Sequence, residues 1–213
     1  MSRMSQSDGG GASTVEQLRE AIAAVQRGES DGGIVDEELE ERLAPVKSKA
    51  TRLIGHRDRS VEELRRRLSE TTGPDGEAVE PELVELVIER CIGNGMLDDE
   101  RFAHEWVRQR QLNQRKSVSV LRRELVEKGV PGTVIESALE QVDDDDQARI
   151  LRELVTKKAG TVSQVPADRR EYDKALKRVV GVAARRGFPE GRCLALAREA
   201  LDLRIEELRG SRG

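Results

Sequence analysis

Aromatic residues, cysteines and long apolar runs are scarce in this chain. Aromatic side chains make up 2% of its 213 residues, and strands are enriched in aromatic and β-branched residues, so a β-sandwich or β-barrel is disfavoured. Cys91 and Cys193 are the two cysteines, too few for a disulfide scaffold or a four-cysteine zinc site. No apolar run approaches the roughly 18 residues of a membrane-spanning helix, and no apolar signal core opens the chain. We therefore expect a cytoplasmic protein without a membrane span.

Sequence signatures of enzymes are also missing. The chain contains neither the glycine-rich loop that cradles nucleotide phosphates nor the dinucleotide fingerprint. His56 and His104 have no serine or cysteine partner nearby in sequence, so a surface or packing role is favoured over a general base. Cys91 lies on an apolar helix face, which predicts a buried, inert thiol. We expect no catalytic activity and no cofactor.

Four consecutive carboxylates, Asp143–Asp146, admit two interpretations. They are candidate ligands for a cation, but their spacing is not that of an EF-hand loop. Carboxylates also stabilise the N-terminus of a helix by capping it and by interacting with its dipole. The apolar residues Ile150, Leu151 and Leu154 that follow favour this second interpretation, with no metal bound.

Charged residues are abundant, at 37% of the chain, and alternate in sign along it. Basic blocks at 45–70, 101–128 and 147–187 are separated by acidic ones at 1–44, 71–100 and 129–146. Any single block is equally consistent with a solvated helix face whose charges are paired. Three basic blocks at regular spacing, however, would align into one stripe if the segments that carry them stacked as repeats.

Helical periodicity and start signals continue from about Val46 almost to the end. Ser60 with Glu63 forms a capping-box pattern, Pro81 suits an early helix position, Asp98 or Asp99 can cap the next helix, and Ser117 can cap another. Two strings recur about one repeat apart. Lys128-Gly129-Val130-Pro131 is echoed by Arg186-Gly187-Phe188-Pro189, and Leu64–Leu68 by Leu121–Leu125. Glycine there supplies a left-handed helix stop, and proline pre-sets the next first turn.

These patterns predict an all-α protein of three tandem three-helix repeats. We place the repeats at 45–97, 98–142 and 143–213. The first has a lengthened turn at Thr71–Gly76. Residues 1–44 are expected to be an acidic, flexible tail holding one marginal helix at Val15–Gln26, since a short helix without packing is weak.

The chain resembles the RecX family, regulatory proteins of the bacterial recombinase RecA, over about Val46 to Leu201. The resemblance rests on four strings in order, which are Arg57–Leu68, Gly95–Ala103, Leu121–Leu125 and Lys128–Pro131. It implies an elongated, curved array of three three-helix repeats and a non-enzymatic role. It further implies that the protein binds RecA, lies in the groove of the RecA–single-stranded DNA filament, and inhibits its ATPase and strand exchange during recombination and DNA repair.

Basic residues are the candidate site. Arginine and lysine bind phosphates through charge neutralisation and counterion release, and they can equally meet acidic surfaces on RecA. The alternative for each arginine is an ion pair with a glutamate on its own helix. The predicted RecA- and DNA-binding residues are Arg65, Arg66, Arg67, Arg108, Arg110, Arg115, Lys116, Arg122, Arg123 and Lys128. A third basic cluster, not among these candidates, comprises Lys157, Lys158, Arg169, Arg170, Lys174, Lys177 and Arg178.

A second hypothesis is a stand-alone helical module that binds nucleic acid without RecA. The net charge of −4 makes it the weaker one. Trp106 and Phe102 share a helix face with Val107, which predicts core packing rather than base stacking, and the scarcity of other aromatics argues against a stacking single-strand binder. We expect a monomer that contacts DNA mainly through phosphates, as part of the filament.

Overall fold

The computed structural model describes residues 37–70 and 78–211, and within them the chain forms nine helices. Their bounds are α1 Glu37–His56, α2 Val61–Ser69, α3 Pro81–Gly93, α4 Asp99–Gln114, α5 Val118–Glu127, α6 Gly132–Leu139, α7 Asp144–Ala159, α8 Arg169–Ala184 and α9 Glu190–Gly210. The all-α prediction is confirmed. The predicted marginal helix at Val15–Gln26 and the turn at Thr71–Gly76 lie outside the described residues. Of the helices described, none is long and apolar enough to cross a membrane.

Helices α1, α2 and α3 pack around the first apolar core. Leu43, Val46 and Ala50 line one side of α1 and are fully buried against Leu64 and Val87. Helix α1 begins at Glu37, so its first two turns belong to the segment that we assigned to the acidic tail. The physical reason is the helical spacing of Leu39, Leu43 and Val46, which extends the apolar face of α1 through Pro45.

Helices α4, α5 and α6 enclose the second core, and α7, α8 and α9 enclose the third. Phe102, Leu121 and Ile135 represent the second core, and Val155 and Leu201 the third; all five are buried. Each core is a separate cluster of buried side chains. Each three-helix unit thus buries its own apolar face. The contacts between units are mainly hydrogen bonds and close backbone approaches.

The predicted helix caps explain where α2, α4 and α5 begin. Ser60 accepts a hydrogen bond from the Glu63 amide at 3.1 Å, and Asp98 accepts one from the Arg101 amide at 2.9 Å. Ser117 caps α5 in the same manner. The second half of the predicted capping box does not form, because the Glu63 carboxylate turns instead to basic side chains. Asp98 rather than Asp99 caps α4.

Polar contacts join the first unit to the second. The Ser60 hydroxyl donates to the backbone oxygen of Lys128 at 2.5 Å. The amide of Val61, at the start of α2, donates to the Asp99 carboxylate at 2.9 Å. Gly129 lies beside them with a φ of +73°, and a Cβ there would overlap the Glu62 side chain. The Lys128-Gly129-Val130-Pro131 string is therefore part of the contact surface against which the preceding unit packs.

The joint between the second and third units repeats this arrangement. The Ser117 hydroxyl donates to the Gly187 oxygen at 2.7 Å, and the Val118 amide donates to the side-chain oxygen of Gln147 at 3.3 Å. Gly187 has a φ of +80°, and a Cβ there would overlap a methyl group of Val120. At both joints the capping serine hydroxyl and the following amide donate to the next unit, but the serine acceptor is the Lys128 oxygen at the first joint and the Gly187 oxygen, one position further along the repeated string, at the second.

Candidate partner-binding surfaces

Three predicted site residues, Arg65, Arg66 and Arg67, follow one another on α2. Arg65 pairs with Glu62 at 2.6 Å and with Glu85 at 2.7 Å. The hydrogen bonds that Arg65 donates to Glu85, and then to Glu62, raise the pKa of its guanidinium group further above its usual range. Arg66 donates to a backbone oxygen at the end of α5, and Arg67 pairs with a glutamate one turn away. Arg65 and Arg66 therefore hold α2 to α3 and α5, whereas the Arg67–Glu70 pair lies at the end of α2 itself.

Four predicted arginines of the second unit and its flank also lie against carboxylates. The pairs are Arg108–Glu105 at 2.8 Å, Arg115–Glu153 at 3.1 Å, Arg122–Glu136 at 2.5 Å and Arg123–Glu127 at 3.8 Å. Most of these side chains are well exposed to solvent. Exposed ion pairs contribute about 0–1 kcal/mol each, so a partner can displace the glutamate at small cost. Pairing lowers the local positive charge without removing these arginines from contact with a partner.

The remaining predicted residues surround Trp106 at the side of α4. Its ring lies between the Arg110 guanidinium, 4.1 Å from the ring centroid, and the Lys128 ammonium, at 4.2 Å. The indole N–H donates to Glu124 at 3.1 Å, and Lys116 pairs with the same carboxylate. Trp106 also packs on Phe102, as predicted. These contacts give Lys116 and Lys128 a packing role.

Lys128 reaches across the first joint to Glu63, whose carboxylate also binds Arg57. The Lys128–Glu63 distance is 3.3 Å, and both side chains are 15% exposed. Burial raises the pKa of Glu63, but the hydrogen bond from Arg57 and the charges of Lys128 and Arg57 outweigh it and hold that pKa below its ordinary value. Glu63 is therefore ionised at neutral pH and links the first two units.

Helix α8 carries the positive surface with the fewest carboxylate partners. Leu176, Val179 and Ala183 are buried on one side of it. The opposite side presents the α8 basic stripe, which we define as Arg170, Lys174, Lys177, Arg178 and Arg185. Among the described residues, no carboxylate lies within ion-pair distance of any of the five. At 1.5 Å per residue the stripe is about 22 Å long.

The neighbouring residues of the third basic cluster complete this surface. Arg169 pairs with Asp173 at 3.2 Å, and Lys158 lies with Lys174 and Arg178 around a groove beside the loop before α8. Sequence analysis found this cluster but left it out of the predicted RecA- and DNA-binding residues. Part of the missing information was which glutamates of other helices the fold brings opposite each basic block, and the spacing of residues within one helix does not contain it.

The cysteines, the histidines and the Asp143–Asp146 run, which the sequence analysis also considered, lie outside the basic surfaces. Cys91 and Cys193 are buried in the first and third cores, and burial raises the pKa of both thiols. His104 and His56 are exposed. Asp143 caps α7, and Asp146 pairs with Arg149 at 2.5 Å. Within residues 37–70 and 78–211, no group of three or more His, Cys, Asp or Glu is placed to hold a metal ion.

Three three-helix units, polar joints and a charged exterior define the described part of the chain as an all-helical repeat protein. A model of the RecX second three-helix domain matches residues 98–139. The regulatory protein RecX of Corynebacterium efficiens is 43% identical over 201 residues, which cover 93% of each chain. That of Amycolatopsis mediterranei is 32% identical and covers 76% of this chain and 86% of its own. The chain belongs to the RecX family.

Solved structures agree in fold. RecX from Lactobacillus salivarius superposes with a TM-score of 0.59 at 20% identity, over 77% of this chain and 99% of its own. A second structure, of a regulatory protein RecX, gives a TM-score of 0.60 at 20% identity, over 82% of this chain and 85% of its own. These structures confirm the fold, the sequence relatives establish the family, and the protein is a regulatory protein of that family.

Proposed function

We propose that this protein binds RecA, lies in the groove of the RecA–single-stranded DNA filament, and lowers its ATPase and strand-exchange activity in recombination and DNA repair. Membership of a family of regulatory proteins supports this function. The α8 basic stripe is the observation that supports contact with a nucleoprotein filament, because its five cations lack carboxylate partners within the described residues. The role needs no catalytic step, and the protein acts as a cytosolic monomer.

The stripe suits phosphate binding without base reading. Its cations lie on one helix face, at spacings of three, four and seven residues, so they form a continuous row. A single-stranded backbone that follows this row exchanges condensed counterions for lysine and arginine. The described aromatic rings, such as Trp106 and Tyr172, are partly or wholly packed against their own units rather than offered as a stacking platform. Affinity for the filament's DNA thus comes from charge alone.

Exposed arginines of the first two units supply the proposed contacts with RecA. Arg122 and Arg123 are the best placed of the predicted residues, since their glutamate partners are also exposed. Acidic groups on a partner can replace those glutamates at little net cost. A chain that contacts DNA through its third unit and RecA through its second obstructs both entry of a duplex and the motions that accompany ATP hydrolysis.

Charge reversal on the stripe tests this proposal. We expect Lys174→Glu with Lys177→Glu to raise the concentration needed for half-inhibition of RecA ATPase by roughly tenfold or more, because two phosphate contacts become repulsive. The matched control is Arg149→Glu, an exposed arginine already engaged by Asp146 and Glu153, which leaves inhibition unchanged. Inhibition by the double variant equal to that of the wild type would contradict the proposed DNA contact.

One titration distinguishes the stand-alone nucleic-acid-binding module from the proposed regulator of RecA. We expect fluorescence anisotropy with labelled single-stranded DNA to show weak, salt-sensitive binding that becomes much tighter when RecA is present. Arg122→Glu with Arg123→Glu should reduce only the RecA-dependent gain. Binding to bare DNA that is as tight as binding to the filament would favour the stand-alone module over the regulator.

A further inference from the structure

A groove of about 600 Å³ lies between the second and third units. Its walls come from the start of α5, from one face of α7 and from one face of α9. We call it the junction groove and define it by Arg122, Ala148, Arg152, Arg192, Ala195 and Leu196. The Ser117 and Ser119 hydroxyls both bond to the Gly187 oxygen at its base, at 2.7 and 2.9 Å. These bonds fix the start of α5 to the turn before α9, and both elements line the groove.

Two helix faces of the same pattern line the groove. Helix α7 contributes residues 148, 151 and 152, and α9 contributes residues 192, 195 and 196, so both faces use positions i, i+3 and i+4. Ala148 and Ala195 are short, which leaves space above the floor formed by Leu151 and Phe188. The floor is apolar, and both of its larger side chains are buried. Apolar side chains of a ligand can enter this space.

Arginines stand on each of the three walls. Arg152 and Arg192 are exposed and make no ion pair or hydrogen bond within the described part of the chain, while Arg122 holds the exposed Glu136. One carboxylate, Asp144, also lines the groove at the start of α7. An apolar floor beneath an excess of guanidinium groups complements a ligand that has an apolar ridge flanked by carboxylates.

We infer that the junction groove binds an acidic amphipathic helix of a partner protein. Helix-in-groove recognition needs apolar anchors at i, i+3, i+4 and i+7, which match two lining helix faces with alanines at their centre. Nucleic acid fits less well, since phosphates gain nothing from an apolar floor and the ring of Phe188 is buried rather than open to stacking. A second copy of this chain fits less well, because the acidic start of α1 has its apolar residues in the first core.

The test uses a designed peptide rather than an unidentified partner. A fluorescein-labelled helical peptide carries leucines at i, i+3, i+4 and i+7 with glutamates on both flanks, and its control replaces the glutamates by lysines. We expect anisotropy to show saturable binding of the acidic peptide to the full chain and none of the basic peptide. Arg152→Glu with Arg192→Glu should weaken it more than tenfold, and Ala195→Trp should weaken it by filling the space.

Matched variants keep this inference separate from the proposed function. Lys174→Glu with Lys177→Glu changes the α8 basic stripe and should leave peptide binding intact, while the groove variants should retain binding to bare single-stranded DNA. Equal binding of the two peptides, or an unchanged affinity for the Arg152/Arg192 variant, would overturn the inference. A further result would also overturn it: acidic peptide that binds only after residues 1–36 are deleted. The groove's occupant would then be the chain's own N-terminal segment.

Discussion

Individual glycines decide whether neighbouring units can approach. Gly95, Gly129 and Gly187 all have positive φ, near +75°, where an L side chain is strained. They differ in their surroundings, because a Cβ at Gly95 meets open space whereas one at Gly187 meets Val120 and Ser117. The same backbone conformation therefore serves a simple helix stop at Gly95 and a packed joint at Gly187.

This difference predicts graded costs of alanine substitution. We expect Gly95→Ala to lower the free energy of unfolding by about 1 kcal/mol through backbone strain alone. Gly187→Ala should cost about 3 kcal/mol or more, since overpacking adds to the strain. Denaturant titration followed by circular dichroism measures both, and Gly191→Ala, in a helix with open space around it, is the control that should not destabilise. Equal costs at positions 95 and 187 would contradict the packing role of Gly187.

The ion pair of Glu63 with Lys128 makes the link between the first and second units depend on pH. Its pKa is lowered in the folded protein, so its contribution to stability is present above the unfolded value of about 4.3 and is lost as the pH falls through the folded value. We expect Glu63→Gln to reduce the free energy of unfolding by about 1–2 kcal/mol at pH 7 and by progressively less below pH of about 4. Glu127→Gln, at an exposed pair, should change little at either pH.

At the scale of elements, two serines combine helix capping with contact between units. Ser60 and Ser117 each cap the second helix of their unit, and each also donates to the glycine-containing turn of the next unit. Asp168 caps α8 through the Glu171 amide, at 2.8 Å, and among the described residues it forms no hydrogen bond or ion pair with another unit. A capping serine at these two positions is therefore part of the joint as well as of the helix.

Alanine substitution separates these two roles. We expect Ser60→Ala to cost about 2 kcal/mol, of which about 1 kcal/mol is the lost cap and the rest is the unsatisfied Lys128 oxygen. Asp168→Ala should cost about 1 kcal/mol, for the cap alone. Thermal and urea unfolding give both numbers. If the two substitutions cost the same, the bond across the joint adds nothing to stability.

For the whole molecule, three separate cores joined by polar contacts favour opening one unit at a time. The buried clusters share no residue, and the described joints include hydrogen bonds, the Lys128–Glu63 and Arg115–Glu153 ion pairs, and close backbone approach. In repeat proteins, stability is the sum of unit and interface terms, so weakening one unit need not open the others. Leu201, fully buried in the third core, is a suitable probe.

We expect Leu201→Ala, a core truncation that costs about 2–5 kcal/mol, to accelerate native-state hydrogen exchange in α7, α8 and α9. Amides of α1, α2 and α3 should exchange as in the wild type. The converse variant, Leu64→Ala, should accelerate exchange in the first unit and spare the third. Uniform acceleration along the described helices would show instead that the units open together.

The helix starts and the core faces follow from local chemistry, and so they were predictable, whereas the recurrent glycine strings were visible in the sequence without the contacts that they make across the joints. Ser60, Asp98 and Ser117 satisfy the first amides of their own helices, and apolar periodicity places Leu121 and Leu125 inward whatever surrounds them. The start of α1 was not anticipated, because an acidic, glycine-containing segment preceding Pro45 is typical of a tail until the core that buries Leu43 is present.

The sequence by itself determined an all-helical chain, its repeated units and the position of every basic block, since these depend on spacing within a few residues. Tertiary structure decided which of those basic blocks lie against carboxylates and which do not. It placed glutamates of α3 and α6 against Arg65 and Arg122, and within the described residues it left the α8 basic stripe without such partners. The reason is that an ion pair depends on the distance between side chains of different helices, and that distance is set only when the helices pack.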